Sequence, residues 1–182
     1  MSLFLFLAER TLPQFIRKRE LKKLFRFTAE AFGSKTPELS RLSCDELLTA
    51  YAAFTRSAVD QLDSRPSAAA GVQQRLYQQA YAYGNLWRAR FRLSSMNQAM
   101  RAARVLYRAV GIDFRGAGDG LIEIHQCFFS AYFTSATCRI ISALDAGIVD
   151  GLAHTGGLAF SHRITEGADM CLAHCTERES KR

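Results

Sequence analysis

Between Pro13 and Gly33 the apolar residues Phe15, Ile16, Leu21, Leu24, Phe25 and Phe32 recur at helical spacing. Arg17, Lys18, Arg19, Lys22, Lys23 and Arg26 fill the other face. The pattern predicts a basic amphipathic helix, opened by a proline that loses nothing at a first helical position and closed by glycine. An uninterrupted apolar run, LFLFL at residues 3–7, precedes it. After the polar linker GSKTPELSRL, Ser43 and Glu46 frame a capping box. The helix behind it carries Leu47, Tyr51, Phe54, Ala58 and Leu62 on one face. The segment Asp63-Ser64-Arg65-Pro66 interrupts the period and reads as a loop. A third helix follows from about Val72 to Leu93, with a stripe of Val72, Leu76, Ala80, Tyr83 and Trp87. Ser94 and Ser95 restart the chain as a fourth, with Met96, Met100, Ala103, Leu106 and Val110 inside, Arg101, Arg104 and Arg108 outside, and Gly111 at its end.

Beyond Gly111 the period changes. Gly116, Gly118 and Gly120 make a flexible turn, and the stretch from Leu121 to Cys127 alternates as a half-buried strand does. Strict alternation sets Leu121, Glu123, His125 and Cys127 on one face and Ile122, Ile124 and Gln126 on the other. The second face is the more apolar, so the first is expected to be open or to line a pocket. A helix from Ser135 to Val149 places Cys138, Ile141, Leu144 or Asp145, and Ile148 at helical spacing, with Gly147, Gly151, Gly156 and Gly157 marking its end. Leu158–Ile164 reads as a second strand and Asp169–Cys175 as a third, and the tail TERESKR as frayed. The expected fold is α+β: about four helices over residues 1–111, then a small antiparallel sheet with one packed helix over 112–176, together one structural unit.

The net charge of +7 sharpens this picture, because it is unevenly placed. Residues 1–35 carry +5, residues 36–120 carry +4 and residues 121–182 carry −2. Positive charge thus belongs to the helices, and residues 13–32 are the segment that could meet an anionic membrane surface or an acidic protein partner. Nucleic acid is not supported: arginines and tyrosines interleave on the third helix, but no recognised binding motif accompanies them. The apolar start of the chain is short and its basic residues follow it, unlike a secretory signal, and no apolar run nears the ~20 residues that span a bilayer. The expected location is cytoplasmic, with reduced thiols.

Chemistry concentrates late in the chain. Four of the five cysteines and all four histidines fall between Leu121 and Cys175. One reading pairs Cys127 as a thiolate nucleophile with His125 or His162 as base, with Arg163 and Glu166 beside a carboxylate-bearing substrate or paired with each other. Another gathers Cys127, Cys138, Cys171 and Cys175 around zinc or an iron–sulfur centre, as soft thiolates favour. A third takes all four as small core residues. Cys44, in the first turn of its helix, can be a reactive thiol or a plain early-helix residue.

The series Ile124-His125-Gln126-Cys127, Cys138 with Ser142-Ala143-Leu144-Asp145-Ala146-Gly147, Leu158-Ala159-Phe160, and Arg163-Ile164-Thr165-Glu166-Gly167 with Cys171 resembles a bacterial family of unassigned function. More distantly it is similar to the 2-amino-thiazoline-4-carboxylate hydrolase-like proteins. Comparable arrangements occur in the iron-containing plant carotene isomerases and in 4-vinyl reductase domains, which bind small ligands. The resemblance implies a small-molecule enzyme or ligand-binding domain, hydrolase-like, with its site among these cysteines and histidines. The alternatives are a non-catalytic thiolate metal or iron–sulfur protein, and an accessory protein that docks through residues 13–32.

Overall fold

The computed structural model describes residues 12–62 and 66–176. The apolar run at 3–7, most of the loop at 63–66 and the tail beyond Thr176 lie outside the described residues. Among the described residues four helices come first: α1 (Gln14–Ala31), α2 (Cys44–Leu62), α3 (Pro66–Phe91) and α4 (Met96–Ala109). Strands β1 (Ile112–Gly116) and β2 (Leu121–Cys127), helix α5 (Ser135–Ala153), then β3 (Gly157–His162) and β4 (Cys171–Thr176) complete an α+β fold. The four strands form one antiparallel sheet in the order β1-β2-β4-β3. Among the described residues no helix is long and apolar enough to cross a membrane.

Helices α2, α4 and α5 start where side chains satisfy free amides of the first turn, whereas Pro13 before α1 offers no side-chain cap. The capping box before α2 forms as its sequence predicts: the Glu46 amide donates to Ser43 Oγ at 3.3 Å, and the Ser43 amide to Glu46 Oε2 at 2.7 Å. Ser95 caps α4 by accepting from the Gln98 amide, and Thr134 caps α5 by accepting from Thr137. Most of the predicted stripes are buried. Ile16, Leu21 and Phe25 of α1, Val72, Leu76, Ala80 and Trp87 of α3, and Met100, Ala103 and Leu106 of α4 all lie in the core. Phe15 does not: it is 72% exposed, on the basic side of α1.

α3 and α5 pack along each other so closely that side chains are excluded between them. A Cβ on Gly151 would lie 2.3 Å from the Tyr81 carbonyl oxygen and 3.0 Å from Gly84 Cα. One on Gly147 would lie 2.4 Å from the Tyr77 carbonyl oxygen. Gly147 and Gly151 are therefore interior helix positions that set the approach of two helices, not the end of α5. The helix runs on to Ala153, where His154 closes it in the left-handed conformation (φ 57°). Across this seam Tyr77 donates a hydrogen bond to buried Asp150.

β1 has no counterpart in the periodicity, because IDFRG is short and alternates weakly. It follows Gly111 directly, and a φ of 75° there lets the chain leave α4 and turn back as a strand. The inner face of the sheet carries Phe114, Ile122, Ile124, Cys171 and Ala173, all buried against α4 and α5. A second apolar cluster joins α1 and α2 through Leu21, Phe25, Leu47, Leu48 and Tyr51, and a third joins α3 and α5 through Val72, Leu76, Ile141 and Leu144.

Candidate functional site

The three apolar clusters meet around a cavity. Each of the five helices and the first two strands contribute to its wall. α1 supplies Glu20, Lys23, Leu24 and Phe27; α2 supplies Tyr51; α3 supplies Ala80 and Tyr83; α4 supplies Leu106 and Tyr107. Ile112 and Cys127 come from β1 and β2, Phe129 and Phe133 from the connection after β2, and Cys138, Ile141, Leu144, Asp145 and Ile148 from α5. The volume open to the centres of water-sized molecules is about 110 Å³. A single water needs only about 10–15 Å³ by that measure, so the space exceeds a packing defect. Almost all of the wall is apolar, with a few polar groups at defined points, as small-molecule sites are built.

The polar group on the α5 wall is Asp145. Helical spacing places it beside the core residues Ile141 and Leu144, so it points inward with them. Its Oδ1 accepts from the Tyr107 hydroxyl at 2.7 Å. Asp145 keeps some accessible surface although protein surrounds it densely, and the two facts agree because the residue borders the cavity. Burial pushes its carboxyl up to about 6, against the hydrogen bond from Tyr107 and the positive charge of Arg163, which both pull it down. The Tyr107 phenol is held well above its ordinary value by burial first, then by the charge of Asp145.

The solvent side is marked by Lys23, 31% exposed, and by Glu20, only 5% exposed. Glu20 pairs with Arg19 at 2.9 Å and with Lys23 at 3.3 Å, and accepts a hydrogen bond from Tyr83. Lys23 also sits 5.0 Å from the centre of the Tyr83 ring. A carboxylate this buried needs such partners. Burial raises the Tyr83 phenol far above its usual range, helped by the neighbouring Glu20 charge.

The residues expected to act together are not all brought together. In the pairing of β1 with β2, Asp113 faces Gln126 and Phe114 faces Ile124, so His125 is an extra residue in a β-bulge. The bulge corrects strict alternation. Cys127 turns inward to the cavity, while His125 stays on the open face with its Nε2 3.0 Å from Glu123 Oε2. His162 is exposed beside Ser161 (Nδ1 to Oγ 3.1 Å), next to a second register shift between Phe160 and His162. Neither histidine lines the cavity that Cys127 lines. Burial pushes the Cys127 thiol up to about 12, which opposes a thiolate at neutral pH.

Arg163 is 14% exposed and fully engaged within the chain. It donates to Ser142 and to Cys138 Sγ (3.7 Å), lies 3.7 Å from Glu166 and stacks 4.0 Å from the centre of the Phe160 ring. Glu166 also takes Arg139 at 2.8 Å. These two residues tie the loop before β4 to α5, as the ion-pair reading expected, and neither lines the cavity. The four late cysteines do not form a ligand set: among the described residues no group of three or more His, Cys, Asp or Glu side chains is arranged to hold a metal ion. Cys127 and Cys138 line the cavity, Cys171 accepts from the Ile164 amide at 3.4 Å, and Cys175 packs against Gly120. Cys44 donates to the Gln14 carbonyl at 3.7 Å.

Three polar groups of the cavity were not singled out by sequence. Asp145 and Glu20 carry a readable signal, a carboxylate at a helical position otherwise reserved for the core: Glu20 follows Ile16 by one helical turn. Tyr107 carries one too, since it follows Met100 by seven and Ala103 by four and so falls on the stripe predicted for α4. Comparison with known protein families, curated proteins and solved structures finds no match to this chain.

Proposed function

We propose that this chain is a small-molecule binding domain whose site is the cavity between the five helices and strands β1 and β2. The observation that carries the reading is the near-complete apolar wall broken on α5 by the Asp145–Tyr107 pair. A void of this kind costs packing energy, because its lining lacks contact partners. An apolar ligand restores those contacts, and one polar pair orients it. The hydrolytic form of the reading rests on the resemblance of the late segment alone. It requires a Cys127 thiolate, which burial opposes.

The test uses N-phenylnaphthylamine, a neutral fluorophore that brightens in apolar surroundings. The wild-type protein is expected to bind it saturably, in about a one-to-one ratio. Val110→Phe and Leu144→Phe, which enlarge two lining residues, are expected to lose binding while keeping the native circular dichroism. Undiminished binding in both folded variants would place the fluorophore elsewhere and remove the reading.

A second reading has its own observation. Phe15, 72% exposed, stands among Lys18, Arg19, Lys22, Lys23 and Arg26, around a shallow groove on the outer side of α1. An exposed aromatic ring in a basic face suits an anionic membrane surface or an acidic partner. Flotation with vesicles containing phosphatidylserine checks it. The wild-type protein is expected to float, and Lys18→Glu combined with Lys22→Glu to stay behind.

A further inference from the structure

We propose that the ligand of the cavity is a monocationic amine with an apolar body, its ammonium seated on the Asp145 carboxylate. The inference rests on the ligand-binding reading above and adds the chemical class.

The charges on the wall decide it. Three lining side chains carry formal charge: Glu20, Lys23 and Asp145. The first two cancel, 3.3 Å apart, and Arg19 adds a second cation to Glu20 at 2.9 Å. Asp145 is left over. Among the described residues its hydrogen-bond partner is the Tyr107 hydroxyl, which brings a donor but no charge. The charge of Arg163 reaches Asp145, but that side chain is committed to Ser142, Glu166 and the Phe160 ring, outside the cavity wall. Asp145 therefore faces a largely apolar space whose lining cation, Lys23, is already taken up by Glu20.

An ionised carboxylate in apolar surroundings is costly unless it is both paired and hydrogen-bonded. An ammonium group meets both needs at once, with one charge and three donors. The surroundings suit the rest of such a ligand. Phe129, Phe133 and Tyr51 offer ring surface to an apolar body. A ligand ending in a carboxylate would instead set two like charges side by side in low dielectric. A fully neutral ligand would leave Asp145 as it was, desolvated further and still unpaired. Selection among the three comes from these two costs as much as from the one attraction.

The experiment ranks phenylbutylamine, phenylbutanol and phenylbutyrate as displacers of N-phenylnaphthylamine at neutral pH. A charge-assisted hydrogen bond predicts the amine to bind about tenfold or more tighter than the alcohol, with the acid weakest. Asp145→Asn is expected to bring amine and alcohol within about twofold of each other, each titrated directly by calorimetry so that the comparison does not depend on the fluorophore, because the negative charge is removed. A wild-type ranking with alcohol or acid equal to or above the amine would overturn the inference, whatever the variant does. So would an amine preference that survives in Asp145→Asn. Failure of the fluorophore to bind the wild type at all would instead remove the ligand-binding reading on which the inference stands.

Discussion

Asp145 occupies a position that helical spacing assigns to the core, and its neighbours do not neutralise it. That leaves a measurable trace in stability. An unfolded aspartate titrates near 3.8, whereas Asp145 in the fold titrates at about 6. The folded state thus holds the proton more tightly. The resulting stabilisation is complete below the unfolded value and is lost as pH rises through the folded one. A gap of about two units corresponds to roughly 3 kcal/mol. Urea midpoints measured from pH 4 to pH 7 should therefore fall across this window in the wild type, and Asp145→Asn should flatten that part of the curve. Cys127 makes a second prediction at this scale. Its thiol, pushed up to about 12 by burial, should react with iodoacetamide at pH 8 at least about tenfold more slowly than a free thiol, as mass spectrometry of the native protein can show, and at the ordinary rate once unfolded.

At the scale of the element, local and non-local signals part company. The Ser43–Glu46 capping box was legible in four letters because each partner lies within one helical turn of the other. Ser43→Ala should cost about 1 kcal/mol in thermal or urea unfolding. The meaning of Gly147 and Gly151 was not legible. A glycine in a helical stretch reads as a stop until the partner helix is known, and here the partner is α3, more than sixty residues earlier. Gly151→Ala should destabilise the fold by about 2–4 kcal/mol, since its methyl would meet the Tyr81 carbonyl and the Gly84 backbone rather than flexible side chains. The bulge at His125 teaches the same lesson within a strand. Alternation correctly gave β2 and its inner residues Ile122 and Ile124, yet one extra residue in the pairing with β1 sends Cys127 to the opposite side. Pairing with a neighbour strand decides where the period slips, and β1 itself was too short to announce its presence.

For the whole molecule, the cavity is the property no single element owns. It lies where the α1–α2 cluster, the α3–α5 cluster and the sheet cluster fail to close on one another. Filling it should therefore help the fold while harming any ligand. Val110→Phe is expected to leave the melting temperature unchanged or raise it by a few degrees, in the same protein that loses N-phenylnaphthylamine. Near neighbours in the chain account for the helical stripes, the caps, the late alternating strand, the α+β order of elements and the basic character of α1. Those follow from one-dimensional periods and from side chains that reach only the next turn. Tertiary structure alone decided what depends on residues far apart in the chain. It set the close approach of α3 and α5, buried Glu20 among its cations, separated His125 from Cys127, and brought Tyr107 to Asp145 across thirty-eight positions. The physical reason is that a period specifies which way a side chain faces but not what stands opposite. An enclosed polar group takes its character from what stands opposite.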